Sequence, residues 1–178
     1  MKIFLNPGHG GTTTGAISKS GVKECVIAAQ ITDKLCSKII ENNLCKFQVF
    51  QQKKSVTEIS EKEIKSNSDL FISIHCNSFC KSSANGVEVL FYEYSGKGEE
   101  LAQIMQNALV KGTGLKDRGI VPRTDVHVLK KTKAPAILVE LAFLSNPHEE
   151  ELLCNYQDLF VDALYQGIKD MIEHIEKR

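Results

Sequence analysis

Apolar residues recur along this chain with two different spacings, and these spacings predict strands that alternate with helices. Strands are predicted where a short apolar or alternating run is followed by a polar or glycine-rich segment. Six runs have this form: 2–6 (KIFLN), 46–50 (KFQVF), 69–75 (DLFISIH), 86–93 (GVEVLFYE), 125–129 (DVHVL) and 135–143 (PAILVELAF). The first run is apolar enough to be buried on both faces of a sheet.

Helices are predicted where apolar residues return every third or fourth position and form one buried stripe. Three stripes are present: Ile27, Ile31, Leu35 and Ile39; Leu101, Ile104, Met105, Ala108 and Leu109; and Phe160, Leu164, Ile168, Ile172 and Ile175. The second helix is expected to end near Gly112 and Gly114. Residues 57–67 predict a short, charged, solvent-facing helix. Because strands and helices interleave, we expect an α/β fold, with helices on both faces of one sheet.

The composition is typical of a soluble globular domain, with 42% hydrophobic and 25% charged residues among 178. Lys plus Arg and Asp plus Glu both number 22, so the formal net charge is zero and nucleic acid is not an expected partner. No segment approaches the roughly 20 apolar residues of a membrane span, so no membrane partner is expected. The N-terminal apolar run is too short for a signal peptide. Two origins fit this pattern: a fragment of an exported protein, or a phage-type lysin released on lysis.

Six cysteines, at positions 25, 36, 45, 76, 80 and 154, are expected to be free and partly buried thiols. They include no CxxC spacing, and a domain of this size can bury a core without disulfides. Cys76 and Cys80 flank a polar loop, and we assign both to packing rather than to a metal or redox site.

Chemically reactive side chains follow three of the predicted strands. His9 comes just after the first strand, His75 ends the third, and Glu140 follows the apolar run AILV. Because ligands bind at the carboxyl ends of strands in α/β sheets, we expect these three side chains to converge. Glycines at 8, 10 and 11 remove Cβ atoms around His9 and let the backbone turn sharply.

Two histidines and a carboxylate, with water in the fourth position, make a catalytic zinc site. Glu24 is the best candidate for the carboxylate ligand, because it starts the first helix just after the glycine-rich loop. Glu140 has apolar neighbours on both sides, and a buried carboxylate needs a partner or a function. We therefore predict Zn²⁺ held by His9, Glu24 and His75, with Glu140 as the catalytic base.

Each of these residues also has an ordinary structural explanation. His9 alone fits a surface or capping residue, His75 a hydrogen-bonded core histidine, and Glu24 a carboxylate at a helix start. Glu140 alone could bind a backbone loop. The coincidence of all four favours a common site. The remaining histidines, His127, His148 and His174, are assigned to structural or surface positions.

Several stretches together resemble the zinc-dependent N-acetylmuramoyl-L-alanine amidases of the bacterial cell wall, the group called amidase 3. The stretches occur in the family's order and span nearly the whole chain: NPGHGG (6–11), GVKE (21–24), DLFISIHCNS (69–78), ANG with the following strand (84–91), DRGI (117–120) and PAILVELAFLSN (135–146). The resemblance implies one catalytic domain over residues 1–178 with a mixed, roughly six-stranded sheet. It also implies zinc ligation by His9, Glu24 and His75, and catalysis by Glu140. Asn6 and Lys62 depart from the family pattern, which usually has Asp and Arg there.

The activity implied by the resemblance is hydrolysis of the amide bond between the lactyl group of N-acetylmuramic acid and the first L-alanine of the peptidoglycan stem peptide. The enzyme would act on the cell wall outside the membrane. We expect the groove for the glycan strand and peptide along 77–85, Asp117, Arg118 and Arg123. Two alternatives remain open: another zinc hydrolase of the wall, either a peptidase or a deacetylase, and a non-catalytic wall-binding relative. Oligomeric state is not encoded in any visible motif, and a monomer is the expectation.

Overall fold

The computed structural model describes residues 1–177. In this part of the chain six strands form one sheet, and six helices pack around it. The strands are β1 (Lys2–Pro7), β2 (Lys46–Val49), β3 (Leu70–Asn77), β4 (Val87–Tyr92), β5 (Asp117–Arg123) and β6 (Ala136–Phe143). The helices are α1 (Glu24–Glu41), α2 (Thr57–Ser66), α3 (Gly96–Thr113), α4 (His127–Lys131), α5 (Pro147–Asn155) and α6 (Gln157–Glu176).

The strands lie in the order β2-β1-β3-β6-β4-β5. β4 is antiparallel to β6, and every other neighbouring pair is parallel. The expected α/β class and mixed six-stranded sheet are therefore confirmed. The order places β1, β3 and β6 side by side, which brings together the three strands that carry the predicted site residues.

The two faces of the sheet are covered unequally. The apolar stripes of α1, α3 and α6 pack on one face against alternate strand residues such as Ile3, Ile72 and Val139. The other face carries a smaller cluster, in which Ile59 of α2 and Val128 of α4 pack on the remaining strand residues. Since α2 and α4 have 10 and 5 residues, they leave part of this second face open.

The strand predicted over 125–129 is wrong, because part of this segment is helix α4 and the fifth strand is β5. Val128 and Leu129 are adjacent and both buried, as one turn of a helix allows and as a one-sided strand does not. β5 contains Gly119 and Pro122, which hide its strand character in the sequence. It lies at the edge of the sheet, where proline is tolerated.

All six cysteines are free thiols, as predicted. Cys76 is buried, and burial raises the pKa of its thiol well above the ordinary value. Cys80 is exposed, so its assignment to packing is wrong. It lies in the loop after β3, outside the regular elements whose side chains form the core.

Helix α2 lies where it was predicted but is less solvent-facing than its charge indicates. Ile59 is buried against the sheet, and the side chain of Glu63 is also buried. The Glu63 carboxylate accepts hydrogen bonds from the backbone N–H groups of Lys133 (2.9 Å) and Ala134 (3.1 Å). This carboxylate therefore joins α2 to the segment that enters β6.

Replacing Glu63 by alanine is expected to lower the free energy of unfolding by about 1–3 kcal/mol, because two partly buried N–H groups lose their acceptor. Urea denaturation followed by circular dichroism measures the change. Glu61→Ala is the matched control, since Glu61 is exposed on the same helix and should change stability by less than about 0.5 kcal/mol. Equal losses from the two variants would contradict the assigned role of Glu63.

Candidate metal centre

The predicted convergence of polar side chains at the carboxyl ends of the central strands is present in the structure. His9 follows β1 by two residues. His75 lies in β3 directly opposite Glu140 of β6 in the parallel register. β3 and β6 both continue past these residues, so His75 and Glu140 lie inside strands rather than at their ends.

A folded-back loop brings Glu24 to the same place. Glu24 is the first residue of α1, and its backbone N–H donates to the carbonyl of Ala16 (2.9 Å). In return, the Ala16 N–H donates to Oε2 of Glu24 (2.8 Å). These reciprocal bonds hold the Glu24 carboxylate beside the carboxyl ends of the strands. Glu24 is only 4% exposed.

His9, Glu24 and His75 form a compact group, here called the His/Glu cluster. Oε1 of Glu24 lies 2.8 Å from Nδ1 of His75, and Oε2 lies 3.3 Å from Nε2 of His9. The two imidazole rings are 5.0 Å apart between centroids and nearly perpendicular. The backbone N–H of Cys76 also donates to Oε1 of Glu24 (3.2 Å).

The ionised form of Glu24 is strongly favoured in this setting. Burial acts to raise the pKa of the carboxyl, but the hydrogen bonds with His75 and His9 outweigh it and hold the pKa well below the ordinary carboxyl range. The Glu24 carboxylate is therefore anionic across the physiological pH range and is a candidate oxygen ligand.

The donor set of the His/Glu cluster fits a zinc ion. Catalytic zinc sites use three protein ligands drawn from imidazole and carboxylate and leave a fourth position open. One ligand atom from each member lies within 4.8 Å of the others, and ligand atoms around tetrahedral zinc lie roughly 3.3 Å apart. Within residues 1–177, this is the one group of three or more His, Cys, Asp or Glu side chains with such spacing.

Two glycines leave the room that the cluster needs. A Cβ atom on Gly8 would lie 2.6 Å from atoms of the His75 ring. A Cβ atom on Gly15 would overlap Oε2 of Glu24 and lie 2.5 Å from Cδ2 of His9. His9 itself has a positive φ of 60°, which side-chain-bearing residues rarely adopt. The turn around His9 is therefore shaped for this arrangement.

Glu140 has a free, buried carboxylate oxygen beside the cluster. Its Oε2 atom is buried and has no hydrogen-bond partner. Burial, followed by the negative charges of Glu24 and Glu88, raises the pKa of Glu140 well above the ordinary carboxyl value, and Arg123 partly opposes this. An unpartnered carboxylate in such a position is a candidate for proton transfer.

Each of the charged residues expected to line a groove is bound to another residue of the fold. Arg118 donates through Nε to Glu88 (3.0 Å), which lies opposite Glu140 across the β4–β6 pair. Arg123 donates through Nε (2.8 Å) and Nη2 (2.7 Å) to Asp125. Asp117 accepts hydrogen bonds from the Gln106 side chain of α3 and from the Gly119 N–H of β5. Its carboxylate therefore joins α3 to the edge strand of the sheet.

A cavity of about 320 Å³ opens beside the His/Glu cluster and is lined in part by residues of α2 and α4. We call it the α2–α4 cavity. His9, His75 and His127 all line it. Its apolar wall consists of Val56, Ile59, Val126, Val128 and Leu138.

His127 was assigned to a structural or surface position from the sequence, and the structure places it half-buried at the start of α4 in this lining. The wrong strand prediction over 125–129 hid this position, since only the helix turns His127 toward the cavity. His148 is exposed, and His174 lies 3.4 Å from Glu100, where α6 packs on α3.

Comparison with known proteins decides the family. A family model described as N-acetylmuramoyl-L-alanine amidase matches residues 3–170. The chain belongs to the N-acetylmuramoyl-L-alanine amidase family. The family assignment made from the sequence is therefore confirmed, and the family is one of hydrolases.

Individual relatives agree with this assignment. An N-acetylmuramoyl-L-alanine amidase from Clostridium difficile 630 has a TM-score of 0.89 and 31% identity, covering 97% of this chain and 96% of that one. The CwlD amidase of Clostridioides difficile, solved in complex with the GerS lipoprotein, has a TM-score of 0.85 and 28% identity, covering 97% and 98%. The probable cell wall amidase LytH of Staphylococcus epidermidis is 32% identical over 94% of this chain. The chain spans 57% of the length of LytH.

The helices of residues 1–177 include none with the length and apolar content that a membrane crossing requires.

Proposed function

We propose that this amidase family member hydrolyses the bond between the lactyl group of N-acetylmuramic acid and L-alanine in peptidoglycan, with zinc as its cofactor. We further propose that residues 1–178 form the catalytic unit and that it acts on the cell wall outside the membrane. The observation that carries the proposal is the pairing of the His/Glu cluster with the unpartnered Oε2 of Glu140.

In this proposal His9, Glu24 and His75 hold the zinc ion. When bound, zinc lowers the pKa of a coordinated water toward ~7 and polarises the carbonyl of the scissile amide. Glu24 contributes a carboxylate that stays ionised, and its two oxygens are held in place by backbone N–H groups, Oε2 by that of Ala16 and Oε1 by that of Cys76.

Glu140 accepts a proton from the attacking water and then donates it to the leaving alanine nitrogen. A carboxyl pKa above the ordinary range suits this double role, because the group must both take and return a proton near neutral pH. The apolar residues around β6 limit competing access of bulk water to this carboxylate.

Digestion of purified cell walls, with the products identified by mass spectrometry, tests the proposed reaction. The expected products are intact stem peptides with a free N-terminal alanine and glycan strands that keep their acetyl groups. Chelation should stop the reaction and added Zn²⁺ should restore it. Peptides cut internally would indicate a peptidase, deacetylated sugars a deacetylase, and wall binding without products a non-catalytic relative.

Gly15→Ala is expected to weaken zinc binding by roughly 10- to 100-fold, the usual effect of changing a residue that positions a metal ligand without binding the metal itself. The added methyl would overlap the carboxylate of Glu24. Chelator competition measures the zinc affinity. Gly21→Ala is the matched control, because Gly21 also has a positive φ but a Cβ atom added there would meet no other atom within 4 Å. The role of Gly15 would be refuted if both variants bound zinc equally.

A further inference from the structure

The loop that presents Glu24 is a short hairpin, here called the 16–24 hairpin. Near its turn, the backbone N–H of Ser18 donates to the carbonyl of Val22 (2.9 Å), and the N–H of Val22 donates to Oγ of Ser18 (3.0 Å). At its open end, Ala16 and Glu24 are joined by the two reciprocal bonds described above. The position of the Glu24 carboxylate therefore depends on where the whole hairpin lies.

A carboxylate from a distant part of the chain holds the turn of this hairpin. Oε1 of Glu150, in the first turn of α5, accepts hydrogen bonds from Oγ of Ser18 (2.7 Å) and from Oγ of Ser20. Ser18 is only 8% exposed, and Glu150 is half-buried. Because both hydroxyl groups donate to the same oxygen, they attach the turn of the hairpin to α5 at one point.

The preceding residue of α5 binds the strand that carries Glu140. Glu149 is buried, and its Oε2 accepts from the N–H of Phe143 (2.6 Å), the last residue of β6. Its Oε1 accepts from the N–H of Gly86 (2.7 Å), which lies just before β4. The side chain of Asn146 caps the start of α5 and fixes its first turn. Adjacent residues of one capped turn therefore bind β6 and the 16–24 hairpin.

We propose that Glu150 is a positioning residue, which sets the place of the Glu24 carboxylate in the metal centre relative to Glu140. It acts through the hydroxyl groups of Ser18 and Ser20, while Glu149 fixes the same helical turn to β6. Residues that orient a metal ligand without binding the metal contribute to the metal affinity. The inference rests on the proposed function, and it adds a residue that lies outside the four predicted site residues.

Zinc affinity, measured by chelator competition, tests the proposal with two variants of Glu150. Glu150→Ala removes the acceptor of both serine hydroxyl groups and is expected to weaken zinc binding by about tenfold, the lower end of the range for residues that support a ligand. Glu150→Gln removes the charge but keeps an oxygen that can accept both bonds. It should bind zinc within about threefold of the wild type, since a neutral acceptor bonds less strongly than a carboxylate.

Glu151→Ala is the matched control, because Glu151 is exposed and follows Glu150 in α5. It should keep the wild-type zinc affinity. Circular dichroism of the zinc-free proteins checks that each variant is folded. Ser20→Ala is a milder variant, in which the loss of one hydrogen bond should weaken zinc binding by about threefold. Added to Glu150→Ala, it should cause no further loss, because the two residues act through the same bond.

The inference is overturned if Glu150→Ala binds zinc as tightly as the wild type. Equal losses in Glu150→Ala and Glu150→Gln would also overturn it, because they would assign the effect to a negative charge at the start of α5. A further loss when Ser20→Ala is added to Glu150→Ala would show that Ser20 does not act through Glu150. A wild-type protein that binds no zinc would overturn the proposed function instead, so the two failures are distinguishable.

Discussion

Glu140→Gln should leave the fold and zinc content intact and lower kcat by roughly 10²- to 10⁴-fold, the usual contribution of a positioned acid–base group. The amide has almost the same shape as the carboxylate but cannot accept and return a proton. Burial of an amide in place of the unpartnered carboxylate also removes a like charge beside Glu24 and Glu88. Initial rates on defined muropeptides, with zinc content measured on the same samples, test this expectation.

Glu88→Gln is the matched control, because Glu88 lies directly opposite Glu140 and already binds Arg118. We expect its rate to stay within about tenfold of the wild type, as for a charge that acts only at a distance. If Glu140→Gln digests cell walls at the parental rate, Glu140 is not the base. A loss confined to Glu88→Gln would assign proton transfer to the neighbouring strand instead.

His75→Ala should abolish zinc binding, and with it the activity, because a site with three protein ligands retains only two. Apparent free energies of zinc binding depend steeply on ligand number, so the zinc content is expected to fall from about one ion per chain to near zero. Elemental analysis after dialysis measures the content. Circular dichroism checks that β3, whose other inward residues are untouched, remains folded.

The control for this variant is His148→Ala, since His148 is an exposed histidine at the start of α5. It should retain the wild-type zinc content. Full zinc content in His75→Ala would place the metal elsewhere. Wild-type protein without zinc, together with activity that survives chelation, would remove the His/Glu cluster from the mechanism altogether.

Local patterns predicted most of the elements and the members of the cluster. The stripes of α1, α3 and α6 were visible because burial on one face imposes a period of about four on the sequence. The apolar runs of β1, β3 and β6 were visible because these strands are buried on both faces of the sheet. The predictions were less successful for weakly apolar or short segments. β5 carries glycine and proline at the edge of the sheet, and α4 is too short to show a helical period.

The side chains around the cluster were less predictable than the cluster itself. Asp117 was expected to line a groove, and its carboxylate accepts hydrogen bonds from Gln106 and from the Gly119 N–H. His127 and Lys54 line the cavity, and no neighbouring residue in the sequence indicates that either would lie there. Their positions depend on how α2 and α4 pack on the sheet, which involves residues far apart in the chain.

By itself, the sequence determined the α/β class, the residues that each strand and helix buries, and the chemical identity of the four candidate site residues. Burial periodicity and glycine-rich turns are local properties, so neighbouring residues suffice to reveal them. The tertiary structure alone decided the strand order, the reversal of β4, the open part of the second face and the residues that line the cavity beside the cluster. These features arise from long-range strand register and helix packing, in which residues distant in sequence acquire their neighbours only when the chain has folded.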